Sequence, residues 1–446
     1  MTPDRVTRLR RPHPAGALGI LALLLVGAAP GPGILAIGSI GLAASLAVLL
    51  GPADAVGAVA ASLPLVFITA RLGGTHWGLL ELALLCCGAA SAAEVARLMV
   101  ARRGEWRLAD VLRPLDLTAV AGAIAVVGLA SLKWVADDRA AGSSQRELRR
   151  VILEPLVVIL AVRLSPMVDV RRLVARCLVI GGVVVSIMAL AQVGSRSSGV
   201  EVGVVFRPIG SYPHPNNLAL YLERIVWLPL GLVGGRVSSR IALATTGLVA
   251  LACVATLSRG GIIALVVGAL IWLALSRRRV LTRALGVGLA ASVGLLLVAR
   301  AGGDGTESLG SREKIWSAAI DMIRDYPVTG IGIDQFYQLY GTRYVDPGGW
   351  SERYTSHPHN LVLDFWLQLG LIGLAILGGI VWLAVRRGWA VRGGRNDLVG
   401  AALIAGLVGG FAHGMIDNGF FLPDLAAFLW LTLALVAPSP TVESSP

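Results

Sequence analysis

The chain has 446 residues, of which 55% are hydrophobic and only 15% are charged, and its mean hydropathy is +0.74. A water-soluble fold cannot bury that much apolar surface. The formal net charge of +12 does not indicate a nucleic-acid partner, because the basic residues occupy short loops between apolar runs instead of one soluble face. The composition predicts an integral membrane protein surrounded by the lipid bilayer.

The apolar residues occur in runs long enough to cross a bilayer. Ala15 to Ala29, Gly33 to Leu50 and Ile241 to Leu257 approach the roughly 20 residues that a transmembrane helix needs. They do not alternate between polar and apolar residues, as the strands of a membrane barrel would. We predict an all-α, polytopic transmembrane helical bundle of about twelve to fourteen spans, closely packed through its many small residues. Candidate spans start near residues 15, 33, 53, 77, 115, 151, 173, 217, 241, 260, 283, 360, 397 and 420.

These spans divide the chain into four regions and a tail. The predicted regions are N-terminal transmembrane helices (1–200), transmembrane helices with outer-face motifs (201–299), an extracytoplasmic loop (300–358), C-terminal transmembrane helices (359–437) and a tail (438–446). The run Val151 to Leu164 contains Glu154 and Pro155, so a broken or re-entrant segment is expected there. The cysteines lie inside apolar runs and are predicted to be core residues without disulfides.

The basic loops predict the orientation of the bundle. With the arginine-rich N-terminus inside, alternating spans place nearly every short basic loop, including Arg277 to Arg279, in the cytoplasm. The segment Ala136 to Arg150 is the clear exception. The long hydrophilic stretch Arg300 to Pro358 then lies outside as one long outer-face loop. Helical spacing of its apolar residues predicts short amphipathic helices on the outer membrane surface; these residues are Ile315, Ala318, Ala319, Met322 and Ile323.

Charged side chains at the outer ends of the spans are candidates for function, because they are costly there. Arg259, followed by two glycines, links two apolar runs. Its guanidinium can fork onto phosphate oxygens, and the alternative is an arginine that snorkels to lipid headgroups. Glu223 and Arg224 are neighbours on a predicted helix, which favours separate partners, and Arg224 is a candidate for holding a second anionic group.

His357 and His359 lie just before a predicted span. A metal site would need a third good ligand, and their i, i+2 spacing is no standard zinc pattern, so no metal is expected. A histidine in this place suits a general base, and the alternative is an interfacial histidine bonded to the loop. The chain shows no nucleotide-binding glycine fingerprint, and no cofactor is expected.

The run Ser356-His357-Pro358-His359-Asn360-Leu361-Val362-Leu363, continued by Leu369-Gly370-Leu371-Ile372-Gly373, resembles the signature of the O-antigen ligase and O-antigen polymerase superfamily. Supporting motifs follow in the same order as in that family. They are Pro213 to Ala219, Ser258-Arg259-Gly260, Arg312-x-x-Ile315-Trp316, and Tyr326-Pro327-Val328-Thr329-Gly330-Ile331-Gly332 followed by Phe336. The resemblance covers about residues 205 to 420.

Members of the superfamily are inverting, metal-independent glycosyltransferases of the cytoplasmic (inner) membrane. The resemblance implies a multi-pass enzyme whose active site faces the periplasm or cell exterior, and a polyprenyl (undecaprenyl) diphosphate-linked glycan donor. It also implies a glycan, lipid or protein acceptor. Carried over to this chain, it makes His359 the catalytic base and Arg259 and Arg312 ligands of the diphosphate. The resemblance matches Asp417 to an acidic position more loosely, and it assigns no role to His214 and Asn217, which with His357 are taken as substrate-binding candidates.

Two further questions stay open from the sequence. A transporter or flippase of lipid-linked or small anionic substrates also has many spans with charged residues, although it tends to place them near the midplane in repeated halves. No such repeat is visible here, and the polar motifs lie on one side. Ligase and polymerase share the same core motifs, so the acceptor remains open.

Overall fold

The computed structural model describes residues 12–31, 33–72, 74–101, 113, 115–137, 141–202, 205–233, 237–276, 307–393 and 397–436. Most of these residues are helical, because every backbone N–H inside a bilayer needs a partner within its own segment. The helices before residue 200 are α1 (Pro14–Ala28), α2 (Gly33–Leu50), α3 (Pro52–Ser62), α4 (Leu79–Ala101), α5 (Leu115–Ser131), α6 (Ala141–Glu147), α7 (Val157–Arg163) and α8 (Met167–Ser195).

The later helices supply the ends at which the polar motifs lie. They are α9 (Pro215–Ile225), α10 (Leu228–Gly231), α11 (Ser239–Ala255), α12 (Arg259–Ser276), α13 (Glu307–Asp325), α14 (Phe336–Leu339), α15 (Leu361–Gly393), α16 (Leu398–Gly414) and α17 (Pro423–Leu435). Two small antiparallel hairpins complete the regular structure, β1 (Thr69–Leu72) with β2 (Thr75–Gly78) and β3 (Gly199–Val202) with β4 (Val205–Pro208).

Five of the described helices are long and apolar enough to cross a membrane: α2, α4, α8, α12 and α15. Six shorter apolar helices accompany them. On α2, Ile34 is 79% exposed and Leu49 is 75% exposed, a surface that suits lipid and not water. The all-α polytopic architecture is confirmed, with fewer full-length spans in the described part than the twelve to fourteen predicted. The span near residue 283 and Arg277 to Arg279 fall outside the described residues.

Two predicted spans are not regular α-helices. Before α7, residues Leu148–Leu153 form a π-helical turn and Glu154–Leu156 a 3-10 turn, so the helix changes its winding around Pro155 but the backbone stays helical, and the break expected there is not present. The span predicted near residue 217 divides into α9 and α10 at Val226 and Trp227, just before Pro229. A proline lacks the N–H that would continue the helix, and its ring crowds the carbonyl four residues earlier.

The predicted close packing is present between α12 and α16, the most extensively contacting pair of helices. A methyl group at Gly409 would lie 2.7 Å from the carbonyl oxygen of Ala264. The two backbones therefore touch, as small residues allow in membrane helices. The four cysteines are buried and unbridged, as predicted.

The amphipathic helix of the long loop is α13. The five apolar residues that predicted it are buried, but they pack against Phe336, Leu339, Tyr340 and Leu367. The apolar face is therefore covered by protein and not by lipid, and the location of the helix at the outer membrane surface stays a prediction. Protein covers the face because the loop folds onto the start of α15, where burying apolar area against Leu367 removes it from water.

A break in α15 ties this loop to the bundle. Gly370 has φ 69° and ψ −164°, which interrupts the helix. The Leu367 carbonyl thereby accepts a hydrogen bond from Ile331 N–H at 2.7 Å, and the Val328 carbonyl accepts one from Leu371 N–H at 2.9 Å. A methyl group at Gly370 would lie 2.2 Å from the Val328 oxygen. The glycine-containing segments around residues 330 and 370 therefore bond directly to each other.

The segment Ala136 to Arg150, which breaks the basic-loop pattern, packs beside the same loop. Ala136 N–H donates to the Ile331 carbonyl at 3.1 Å, and Ser144 Oγ donates to the Ile333 carbonyl at 2.6 Å. Arg149 forms ion pairs with Glu81, at 2.6 Å, and with Glu154. Because these carboxylates neutralise its charge locally, the segment need not follow the rule for free basic loops.

Candidate active site

Asp417 is the centre of the polar cluster. It lies between α16 and α17 and is only 4% exposed. Its Oδ1 is 3.4 Å from His357 Nε2 and 3.2 Å from His359 Nδ1. Its Oδ2 accepts a hydrogen bond from Asn216 Nδ2 at 3.0 Å and lies 3.8 Å from an Arg312 guanidinium nitrogen. Four distant parts of the chain therefore meet at one carboxylate.

The two histidines use their ring nitrogens differently. His357 directs Nε2 to Asp417, and its Nδ1 lies 3.1 Å from Ser356 Oγ. His359 directs Nδ1 to Asp417, and within the described residues no hydrogen bond engages its Nε2. A neutral imidazole that donates from Nδ1 carries its lone pair on Nε2. His359 is therefore the histidine with a ring nitrogen available to accept a proton.

The backbone of His359 is held in an unusual conformation. Its φ of 51° is left-handed, which for a non-glycine residue costs about 1–3 kcal/mol and persists only where neighbours enforce it. Asn360 Oδ1 caps α15 by accepting from Val362 N–H at 3.0 Å and Leu363 N–H at 3.1 Å. Trp316 Nε1 donates to the His359 carbonyl at 3.4 Å. The helix cap and α13 together fix the turn that aims His359 at Asp417.

The environment of Asp417 keeps its carboxylate ionised. Burial by itself raises the pKa of Asp417, but hydrogen bonds from the rings of His357 and His359 and electrostatic interactions with His359 and His413 hold that pKa well below its usual range. An ionised carboxylate behind an imidazole fixes the tautomer and stabilises the imidazolium that forms when the ring takes a proton.

Arg207 and His214 position Asn216. An Arg207 guanidinium nitrogen donates to Asn216 Oδ1 at 2.8 Å, and Arg207 Nε donates to the Thr256 carbonyl at 2.7 Å. His214 Nδ1 accepts from Asn216 N–H at 3.2 Å and so caps α9. Burial, followed by the charge of Arg207, lowers the pKa of His214. The lowered pKa keeps the ring neutral, and only an unprotonated Nδ1 can accept the hydrogen bond from Asn216 N–H.

Arg259 and Arg312 approach the cluster from two elements. Arg259 opens α12 after Leu257, whose φ is 53°, and Arg312 projects from α13 with only 16% of its side chain exposed. The positive charge of Arg312 lies within electrostatic range of the Arg259 guanidinium, so the two groups repel each other. An anion shared by both would relieve that repulsion and could accept paired hydrogen bonds.

A second, fully buried chain lies beneath Asp417. His413 Nδ1 is 2.7 Å from Glu223 Oε2, and Glu223 Oε1 accepts from Arg224 at 3.1 Å. Arg224 also donates to the carbonyls of Leu220 and Gly419. The expectation that Glu223 and Arg224 have separate partners was wrong. Their long side chains curl to meet inside the bundle, where an unpaired charge would be costly.

Glycines make room for this chain. A methyl group at Gly260 would lie 1.8 Å from His413 Cδ2, and one at Gly410 would lie 2.7 Å from the Arg224 guanidinium carbon. The glycine beside Arg259 therefore serves helix packing against His413. The Arg224 guanidinium is already bonded to Glu223 and to two backbone carbonyls, which favours a structural role. Its binding of a second anion stays a prediction.

The structure brings together most of the predicted site residues. His357, His359, Asp417 and Arg312 are in contact, His214 bonds to Asn216, and Arg259 lies within electrostatic range of Arg312. Asn217 contributes a backbone bond to the first turn of α9, whereas the adjacent Asn216 contacts Asp417. Sequence reasoning missed Arg207 and Asn216. Asn216 stood inside a motif already recognised, but nothing near Arg207 in the chain signalled its role.

One cluster in the described residues has the donors of a metal site. One ligand atom from each of His357, His359 and Asp417 lies within 4.8 Å of the others. Two imidazole nitrogens and a carboxylate oxygen suit a transition-metal dication. The third ligand that the histidine pair lacked in the sequence is Asp417, which lies 58 residues beyond His359.

Residues 244–378 match the family model described as O-antigen ligase. The match runs from α11 into α15 and includes Arg259, Arg312, His357 and His359. Asn216 and Asp417, which complete the cluster, lie on either side of it. No curated protein matches the chain.

Proposed function

We propose that this multi-pass membrane protein, whose match supports the O-antigen ligase and polymerase superfamily, transfers a glycan from a polyprenyl diphosphate carrier to an acceptor hydroxyl. The observation that carries the proposal is the 3.2 Å contact of His359 Nδ1 with the buried Asp417 carboxylate, which Arg312 approaches at 3.8 Å, with Arg259 within electrostatic range of Arg312. This arrangement pairs an oriented base with a cationic site for an anionic leaving group.

In the proposed reaction, His359 Nε2 removes the proton from the acceptor hydroxyl. Asp417 keeps the ring in the tautomer that accepts at Nε2 and stabilises the imidazolium that results. The acceptor oxygen forms a bond to the anomeric carbon, and the bond from that carbon to the diphosphate oxygen breaks. The electron pair leaves with the diphosphate. Attack on the face opposite the leaving group inverts the anomeric configuration.

Arg259 and Arg312 hold the diphosphate of the donor. Their guanidinium groups match pairs of phosphate oxygens and neutralise charge that grows as the leaving group departs. Arg259 also stands at the N-terminus of α12, where the helix dipole favours an anion. The donor is already activated by its diphosphate, so the protein mainly positions it, neutralises charge and removes one proton, and no metal is required.

The site lies at the end of the bundle that the basic-loop bias assigns to the outer face of the cytoplasmic membrane. A donor with a polyprenyl tail enters from the bilayer, and the loop helix α13 contributes Arg312 and the contact of Trp316 with the His359 carbonyl. Both a ligase and a polymerase would use this arrangement, because they differ only in the acceptor.

Transfer by the purified protein tests the proposal. Wild-type protein in detergent is incubated with a polyprenyl diphosphate-linked oligosaccharide and candidate acceptors, and products are identified by mass spectrometry. We expect transfer without any ion gradient and inverted configuration at the new bond. Donor binding without transfer to any acceptor, together with gradient-driven movement of donor across proteoliposomes, would contradict the enzyme and favour a transporter.

A further inference from the structure

We propose that His357, His359 and Asp417 form an inhibitory site for a transition-metal dication such as Zn²⁺. The binding part of this inference stands on the geometry of the cluster alone. Its inhibitory consequence rests on the proposed function, because it requires His359 to be the base.

The atom separations fit a tetrahedral ion. Zinc bonds of 2.0–2.2 Å to nitrogen and oxygen place neighbouring ligand atoms about 3.3 Å apart. Asp417 Oδ1 lies 3.4 Å from His357 Nε2 and 3.2 Å from His359 Nδ1. One ligand atom of each residue lies within 4.8 Å of the other two, so a small shift of one imidazole would bring all three to bonding distance of one ion.

The surroundings resemble those of metal-ligating residues. Asn216 holds the other oxygen of Asp417, and Ser356 Oγ contacts the second nitrogen of His357. Such outer partners orient ligands in metal sites. The His357 and His359 side chains are 22% and 24% exposed, which provides an entry path, whereas Asp417 is buried.

Nearby positive charges weaken the binding of the ion and make it reversible. Arg312 lies 3.8 Å from Asp417 Oδ2, the oxygen that Asn216 also bonds, and Arg207 bonds Asn216 in turn. These cations oppose a bound dication, so affinity falls below that of a dedicated zinc site. Two imidazole ligands still select Zn²⁺, Co²⁺ or Ni²⁺ over Mg²⁺.

Metal binding and catalysis cannot occur together, because they require different positions of the proton on the His359 ring. When His359 ligates through Nδ1, the neutral ring must carry its proton on Nε2. Nε2 is the atom that must be unprotonated to accept the hydroxyl proton. The ion also occupies the Asp417 oxygen that orients the ring, so the occupied site has no base.

Cobalt binding tests the site independently of activity. Purified protein is titrated with Co²⁺, and visible d–d absorption is recorded for wild type, His357→Asn and the control His76→Asn, which alters a histidine on the remote hairpin strand β2. We expect saturable absorption in wild type and His76→Asn, displacement by Zn²⁺, and loss of the signal in His357→Asn. Absorption that is absent in wild type, or unchanged in His357→Asn, overturns the site.

Inhibition is then measured in the transfer assay. Micromolar Zn²⁺ should stop transfer, EDTA should restore it, and millimolar Mg²⁺ should have no effect. His357→Asn, compared with its own uninhibited rate, should need at least about tenfold more Zn²⁺ for half inhibition. Stimulation by Zn²⁺ overturns the inhibitory role. Cobalt binding in a protein that never transfers glycan refutes only the proposed function, and transfer without cobalt binding refutes only the metal site.

Discussion

His359 Nδ1 and Asp417 Oδ1 lie 3.2 Å apart although 58 residues separate them in the chain. Between them run α15 and α16, so the chain crosses the bundle and returns before Asp417 reaches the histidine. The contact gives the two neighbouring histidines different chemistry, because Nε2 of His359 stays available while both nitrogens of His357 have polar neighbours.

This difference predicts unequal effects of the two histidines. His359→Gln should lower the transfer rate by about 10²- to 10⁴-fold, the usual cost of a lost general base, while donor binding persists. His357→Gln should retain a substantially higher rate. Initial rates of transfer and donor binding are measured on purified variants with equal melting temperatures. Equal losses in the two variants would assign the histidines a shared structural or metal-binding role.

Arg259 should not tolerate lysine. Arg259→Lys keeps the charge but removes the planar pair of donors that fits two phosphate oxygens, so most activity should be lost. Arg312→Lys should lose less, because the loop helix α13 can shift to compensate. Exposed Arg324→Lys, paired only with Asp321 on the same helix among the described residues, is the control. Near-normal turnover of Arg259→Lys would reduce Arg259 to a membrane anchor.

Asp417→Asn should destabilise the protein over a defined pH range. The pKa of Asp417 is lowered in the folded protein, so its stabilising charge is fully present above the unfolded value of about 3.9. That contribution is lost only as the pH falls further, toward the folded pKa. The melting temperature of Asp417→Asn should therefore lie below wild type from pH 8 to about pH 4. A difference that vanishes near pH 6 would contradict the lowered pKa.

Gly370→Ala should loosen the loop from α15. The added methyl group would meet the Val328 carbonyl in a backbone conformation that alanine rarely adopts, at a cost of about 1–3 kcal/mol. Gly378→Ala lies on the same helix with nothing within 4 Å and should unfold like wild type. Thermal unfolding in detergent compares the two. An unchanged melting temperature for Gly370→Ala would show that the contact contributes little to stability.

The orientation of the bundle can be tested with single cysteines. Tyr354 is 65% exposed, and Tyr354→Cys should react with a membrane-impermeant maleimide added to intact cells or spheroplasts. Arg278→Cys should react only after the membrane is permeabilised. The four native cysteines are buried, so background labelling should be low. The reverse pattern would place the site in the cytoplasm and contradict the proposed donor orientation.

The sequence by itself determined the membrane-spanning helical architecture, because long apolar runs have few alternatives in lipid. It also predicted an irregularity at Pro155, the amphipathic helix α13 and most of the charged site residues, since each depends on local spacing or on a motif. Tertiary structure alone decided what covered α13, which side chain contacted Asp417 and how Glu223 met Arg224. These contacts join residues from different helices or depend on how long side chains bend into a shared cavity. No property of a single segment specifies them, because they are fixed by how the helices pack.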